Sequence, residues 1–201
     1  MTASAADSFP RRSARTLRFS AGAPRAFQVS PDGTTVTFLR SSSGTDRSAA
    51  LRVLDADTGT ERLVADPAAL LSGGDENLSQ EERSRRERMR EGGAGITGYA
   101  CDAKHTVAAF ALSSRLFVAD LSGAGARELP AAGAVVDPRP SPDGTLVAYA
   151  AGGGLHVVAV DTGAVDAAVS GDTASAGKTS CSCSTKASTS CPPSTCSTSS
   201  R

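Results

Sequence analysis

Two stretches of the chain carry the same nine-residue design: Ser30-Pro31-Asp32-Gly33-Thr34-Thr35-Val36-Thr37-Phe38 and Ser141-Pro142-Asp143-Gly144-Thr145-Leu146-Val147-Ala148-Tyr149. In each, proline presets φ, aspartate bonds backbone N–H groups two residues on, and glycine takes positive φ ahead of an alternating apolar run of strand type. The unit is a turn followed by a strand. A second strand follows each copy and runs into another repeated turn: residues 51–55 precede Asp57-Thr58-Gly59, and residues 155–160 precede Asp161-Thr162-Gly163. Between these copies lies a worn one, Cys101-Asp102-Ala103-Lys104-His105-Thr106-Val107-Ala108-Ala109-Phe110, with a second strand at residues 116–121. It keeps the strands and lacks the turn residues.

Phe110 to Tyr149 and Leu116 to Leu155 are equal steps, and a period of about 40 residues with several short strands per repeat is the signature of a β-propeller blade. The step from Phe38 to Phe110 is nearly twice as long, and the surplus is assigned to residues 66–95, the only stretch of helical character. The expected fold is all-β: a partial β-propeller of about three blades with an inserted arginine-rich helix, over residues 17–170, the helical insertion occupying about 68–93. Because propellers close with about 4–8 blades, three leave faces and edges open. More chain is therefore expected to follow, and three blades alone should be marginally stable or aggregation-prone.

Composition narrows the partners. Apolar residues make up 39% of the chain but aromatics only 4%, with no tryptophan, so Val, Leu and Ala must fill the core. The 21 basic and 21 acidic residues cancel, leaving no overall field to attract nucleic acid or an anionic membrane. No run of eighteen apolar residues occurs, and residues 1–16 carry Arg11, Arg12 and Arg15 without the apolar core of a secretory signal. Those residues read as a disordered N-terminus and the chain as cytoplasmic. A body with the single cysteine Cys101 fits a reducing compartment.

The insertion reads Leu78-Ser79-Gln80-Glu81-Glu82-Arg83-Ser84-Arg85-Arg86-Glu87-Arg88-Met89-Arg90-Glu91-Gly92-Gly93. Ser79 with Glu82 forms a capping box and the glycine pair a stop, predicting helix from about Gln80 to Glu91. Glu81 with Arg85 and Glu82 with Arg86 sit at i,i+4 in the favourable order, each contributing about 0.2–0.5 kcal/mol. The helix is polar all round, so it is either a solvated, salt-bridged arm or one whose arginines reach carbonyl or carboxylate groups of a ligand.

This helix and the segment Ala94-Gly95-Ile96-Thr97-Gly98-Tyr99 that follows resemble the arginine helix and its exit strand in the dipeptidyl peptidase IV-like serine peptidases of the prolyl oligopeptidase superfamily, the S9 family. The resemblance extends over residues 17–169, and the Ser-Pro-Asp-Gly turns are its least specific part. It implies an eight-bladed propeller capping an α/β-hydrolase domain that releases N-terminal X-Pro or X-Ala dipeptides, with the peptide substrate bound between the two and, in the intact family, a homodimer. It implies for Arg90, the last arginine of the helix, a role in holding a substrate backbone carbonyl; a guanidinium offers donors in a fixed fork. No cofactor is implied.

The hydrolase chemistry is not encoded in these 201 residues. No G-x-S-x-G nucleophile elbow with its Asp and His occurs, so no catalytic residue is assigned. The family's glutamate pair for the substrate amino group is not matched, because Glu81-Glu82 opens the helix and serves its dipole. His105 and His156 read as structural, and the glycine clusters make no phosphate-binding fingerprint. From about Gly171 the periodicity gives way to Ser, Thr, Cys and Pro, a tail expected to be disordered and read as an out-of-frame end. Its Cys181, Cys183, Cys191 and Cys196 fit paired zinc-ligand spacing poorly, so no metal site is assigned. The leading reading is the propeller part of such a peptidase without its hydrolase; the alternative is a freestanding propeller-type protein-binding module.

Overall fold

Each Ser-Pro-Asp-Gly unit opens the second strand of a four-stranded antiparallel meander. The computed structural model describes residues 8–73, 80–88 and 93–169. The first blade comprises β1 (Arg25–Val29), β2 (Thr35–Ser41), β3 (Ser48–Asp55) and β4 (Glu61–Ala65). Past the insertion, a short β5 (Ala94–Gly95) leads to the second blade, β6 (Tyr99–Cys101), β7 (Val107–Leu112), β8 (Arg115–Asp120) and β9 (Gly125–Leu129). The third blade follows as β10 (Val136–Pro140), β11 (Leu146–Ala151), β12 (Gly154–Ala159) and β13 (Val165–Val169). Strand order in each sheet is sequential, and β5 adds to the first sheet by parallel pairing with β3. The chain is thus all-β, three successive blades of a β-propeller.

The turns are built as their chemistry requires. Ser141 Oγ accepts from Leu146 N at 3.0 Å, while Asp143 Oδ1 accepts from Thr145 N and Thr145 Oγ1. Ser30 and Asp32 serve Thr35 N and Thr34 N in the same way. The second blade keeps this turn geometry despite losing the residues. Asp102 stands at the serine position and its carboxylate takes both jobs, accepting from Val107 N at 2.8 Å, Thr106 N at 2.7 Å and Thr106 Oγ1 at 2.8 Å. His105 adopts φ 60°, where Gly33 and Gly144 have 75° and 74°.

Alternation along the strands sorts side chains onto two faces of each blade. Leu39, Leu51 and Val53 of the first blade pack against Ala108, Phe110, Leu112, Phe117 and Ala119 of the second. The opposite face of the same strands, Ala109, Leu116 and Val118, packs against Val147, Tyr149 and Val158 of the third. The middle blade is therefore buried on both sides, which explains its nearly continuous apolar runs in β7 and β8. Phe110 and Phe117 stack across those strands with centroids 5.7 Å apart, and Tyr149 and His156 stack at the equivalent place in the third blade at 5.4 Å.

Two polar contacts recur between successive blades. Ile96 N donates to Ala49 O, and one period on Val135 N donates to Ser114 O, both at 2.9 Å. At the far side of the sheets, Arg62 of the first blade donates to Leu121 O of the second. Its repeat equivalent, Arg127, donates to Val160 O of the third. Each blade is tied to its successor by the same pair of devices.

Three features depart from the sequence reading. The surplus residues do not all lie in the 66–95 connection: Arg40 pairs with Ala50 across a long hairpin, whereas its equivalent Leu112 pairs with Arg115 across a tight one, so part of the surplus belongs to the β2–β3 hairpin. The segment read as a disordered N-terminus holds a short helix, α1 (Phe9–Arg15), favoured by proline at its start and closed by Thr16 Oγ1 bonding Arg12 O. A second short helix, α2 (Pro67–Leu70), opens the insertion with Asp66 as N-cap, its carboxylate accepting from Ala68 N at 3.0 Å. The arginine helix itself is present as α3 (Gln80–Arg88). Ser79, and with it the proposed capping box, lies outside the described residues, as does the tail, 171–201.

Candidate functional site

The insertion is where the chain leaves its repeat, and its exit is fixed firmly to the first blade. Ala94 N donates to Arg47 O at 2.7 Å and Ile96 N to Ala49 O at 2.9 Å, the ladder of β5 on β3. That approach is so close that a Cβ on Gly95 would stand 2.6 Å from Ala49 O and 2.9 Å from Ala49 N, and the glycine sits at φ +76°. Only glycine fits there. Ile96 and Thr97 are buried next to it. The Tyr99 hydroxyl lies 2.7 Å from the carbonyl oxygens of both Ala26 and Thr37, so its one proton is shared between two acceptors of the first blade. Burial pushes its pKa upward, with Cys101 adding to the effect, and the phenol is a fixed donor.

Beside this exit runs a groove of about 710 Å³ walled by Arg18, Arg25, Arg40, Arg47, Asp46 and Gly93. Arg25 Nη1 donates to Thr97 O at 3.4 Å, Arg47 Nη2 to Ala14 O at 3.0 Å, and Arg40 pairs with Glu61 at 2.8 Å. Asp46 is committed to its own hairpin, accepting from Ser42 N, Ser42 Oγ and Ser48 N. Leu17, Ala21, Ala23, Pro24 and Ala49 complete a largely apolar lining, on which the charged groups are mostly guanidiniums, donors of the kind that hold carbonyl and carboxylate groups. No local motif marks these arginines in the sequence, because they come together from a loop, two strands and a hairpin.

Arg90, to which the family resemblance gives the substrate carbonyl, lies outside the described residues. Its described neighbours are Arg88, which ends α3, and Gly93, which lines the groove.

The described residues contain one arrangement that imitates a catalytic set. Thr37 Oγ1 and His105 Nε2 are 2.7 Å apart, with Asp102 close in sequence to the imidazole. The geometry is structural: Thr37 is fully buried, and the Asp102 oxygens accept from Thr106 and Val107. Burial lowers the His105 pKa, with the Asp102 and Asp32 charges opposing it. Burial, then the Asp102 charge, pushes the Cys101 thiol up to about 12, which leaves it protonated and unreactive. His156 stacks on Tyr149 and stands 3.2 Å from Ala151 O, a strand-packing role. Among the described residues no group of three or more His, Cys, Asp or Glu side chains is placed to hold a metal ion.

No protein-family profile matches the chain. Solved structures similar to it include TolB from Acinetobacter baumannii at 16% identity and a TM-score of 0.44, covering 72% of this chain and 31% of that one. A TolB protein from Agrobacterium tumefaciens is similar at 16% identity and a TM-score of 0.45, with coverage of 73% and 47%. The tricorn protease is similar at 17% identity and a TM-score of 0.46, with coverage of 71% and 12%. The chain spans less than half the length of each of these proteins. At these identities and scores, the assignment of a β-propeller segment rests on the chain's own three repeated sheets.

Proposed function

We propose that this chain is the N-terminal propeller part of a dipeptidyl peptidase IV-like serine exopeptidase, the substrate-binding and gating portion that works opposite a hydrolase domain on a peptide N-terminus. The observation that carries the reading is the arginine-rich helix inserted between the first and second blades, with its Gly-Ile-Thr-Gly-Tyr exit fixed to the first blade by β5, Gly95 and Tyr99. A fixed exit is what an arm that positions a scissile peptide demands. The chemistry is intracellular peptide cleavage after X-Pro or X-Ala, with nucleophile, acid and base supplied by a hydrolase outside residues 1–201.

The test is hydrolysis of an X-Pro chromogenic dipeptidyl substrate. The 201-residue chain should show none, while a polypeptide continuing it in frame through further blades and a hydrolase should be active. In that longer polypeptide, Arg90→Ala should raise KM at least tenfold, with the fold unchanged. Activity from the short chain, or an Arg90→Ala variant with unaltered kinetics, refutes the assignment.

A further inference from the structure

We propose that the groove beside the insertion's exit binds the C-terminal end of a peptide, its carboxylate held by Arg18, Arg25 and Arg47 and its last side chain laid on the apolar wall. The proposal comes from counting donors and acceptors. The acceptors at the groove are already engaged. Asp46 takes Ser42 N, Ser42 Oγ and Ser48 N, Ser41 Oγ takes Gly22 N, the Thr97 carbonyl takes Arg25, and the Ala14 carbonyl takes Arg47. The donors are in surplus. Each guanidinium carries five N–H groups. Arg25 and Arg47 commit one each, and among the described residues nothing bonds the Arg18 guanidinium.

A second observation marks the same wall. Leu17, Arg18 and Phe19 occupy three consecutive left-handed conformations, at φ 49°, 61° and 65°, which a Cβ makes unfavourable. Thr16 holds the run in place: its carbonyl accepts from Ser20 N and Ala21 N, both at 3.0 Å, and its Oγ1 from Phe19 N at 3.0 Å. Strain of this kind persists where the surrounding structure enforces it, and it gathers at ligand-binding segments. Here it lays Leu17 and Arg18 along the groove.

The make-up of the groove selects the ligand. Its volume of about 710 Å³ falls in the range of about 300–1,000 Å³ of small-ligand sites. With Arg40 neutralised by Glu61, the balance of charge on the wall is still positive, in a chain whose overall charge is zero. An anion fits it. A single carboxylate accepts at about four positions, fewer than the uncommitted donors, and a peptide brings a further carbonyl acceptor with each residue. Leu17, Ala21, Ala23, Pro24 and Ala49 offer an apolar bed, so the residue that bears the carboxylate should be aliphatic. Inorganic phosphate would leave that bed uncovered. The site goes beyond the peptidase reading and does not depend on it, because it uses neither Arg90 nor a hydrolase.

Isothermal titration calorimetry of the full 201-residue chain with the peptide N-acetyl-Gly-Ala-Leu tests the proposal. The free acid should bind saturably, and its C-terminal amide at least tenfold more weakly. Arg18→Gln and Arg25→Gln should each weaken binding of the acid at least fivefold, and Arg25→Lys, which keeps the charge but not the fork, should weaken it less. Arg139→Gln, on the third blade and paired with Asp137, should bind as the parent does. All these arginines are exposed, so circular dichroism should report the parent fold. Absence of saturable binding at about 5 mM peptide overturns the proposal, as does an amide that binds as well as the acid. Parent-like binding by either glutamine variant overturns it too. Inorganic phosphate or isocaproate competing as strongly as the peptide would overturn it in favour of a general anion site or a free-acid site.

Discussion

Asp102→Ala should be among the most damaging single substitutions in the second blade. The carboxylate is buried and accepts three hydrogen bonds, two of them from the consecutive backbone N–H groups of Thr106 and Val107 that start β7. A hydrogen bond to a charged group contributes about 1.5–3 kcal/mol, and orphaned N–H groups carry a desolvation cost. Allowing for partial re-solvation, the loss should be about 3 kcal/mol. With a urea m-value of about 2 kcal/mol/M, the unfolding midpoint falls by roughly 1.5 M. The repeat supplies the control. Asp102→Ser restores the residue that blades one and three use, which recovers the bond to Val107 N and leaves Thr106 N without a partner, for a loss of about 1 kcal/mol. Adding Lys104→Asp recreates the Ser-x-Asp arrangement of Ser141 and Asp143 and should return most of that. Equilibrium urea unfolding followed by circular dichroism reads all three. An Asp102→Ala loss of no more than about 0.5 kcal/mol, the range of an ordinary surface substitution, would refute this account of the turn. So would a double variant no more stable than Asp102→Ser.

Gly95→Ala should detach the insertion's exit from the first blade, since the added carbon meets backbone atoms at 2.6 and 2.9 Å and the residue sits at φ +76°. The expected cost is about 3 kcal/mol, seen as lost hydrogen-exchange protection at Ala94 and Ile96, whose N–H groups bond Arg47 O and Ala49 O. Stability should also fall on acidification from pH 7.5 to 5. The His105 pKa is lowered from 6.5 in the folded state, so the unfolded chain binds more protons as the pH drops below 6.5, and the stability present above that value is lost towards the depressed folded pKa. His105→Asn, which tolerates the left-handed backbone, should flatten the thermal melting profile over that interval. Asp143, held at about 2 by Ser141 and Thr145, acts elsewhere: its contribution is present above 3.8 and lost only as the pH falls through about 2.

The repeat was readable because its strands alternate and its turns recur. Their regular spacing matched Phe110 with Tyr149 and Leu116 with Leu155, and each pair occupies equivalent places in successive sheets. The worn turn was harder, since a sequence template seeks proline, aspartate and glycine at fixed offsets. The fold needs only an acceptor for two N–H groups and a residue that tolerates positive φ, which Asp102 and His105 provide. Helix α2 carried a legible signal in Asp66-Pro67, an N-cap followed by proline. The arginine contacts between blades left no such trace. Arg62 meets a carbonyl far along the chain, and its likeness to Arg127 emerges only once both strands are in register. The groove arginines are dispersed for the same reason.

The absent N–H at Pro24 gives the array a direction in time. Every later blade joins by donating backwards to the blade before it, as Ile96 and Val135 do, whereas the first blade requires no predecessor. On the ribosome it can therefore form as soon as its four strands emerge. Its apolar forward face must then wait for the second blade, because β4 ends at Ala65 and the covering strands β7 and β8 are complete only at Asp120. At about 5–20 residues per second, that is roughly three to eleven seconds with Leu39, Leu51 and Val53 uncovered. The insertion thus sets the longest exposure the nascent chain undergoes between described blades, and the interval is one in which a chaperone can intervene.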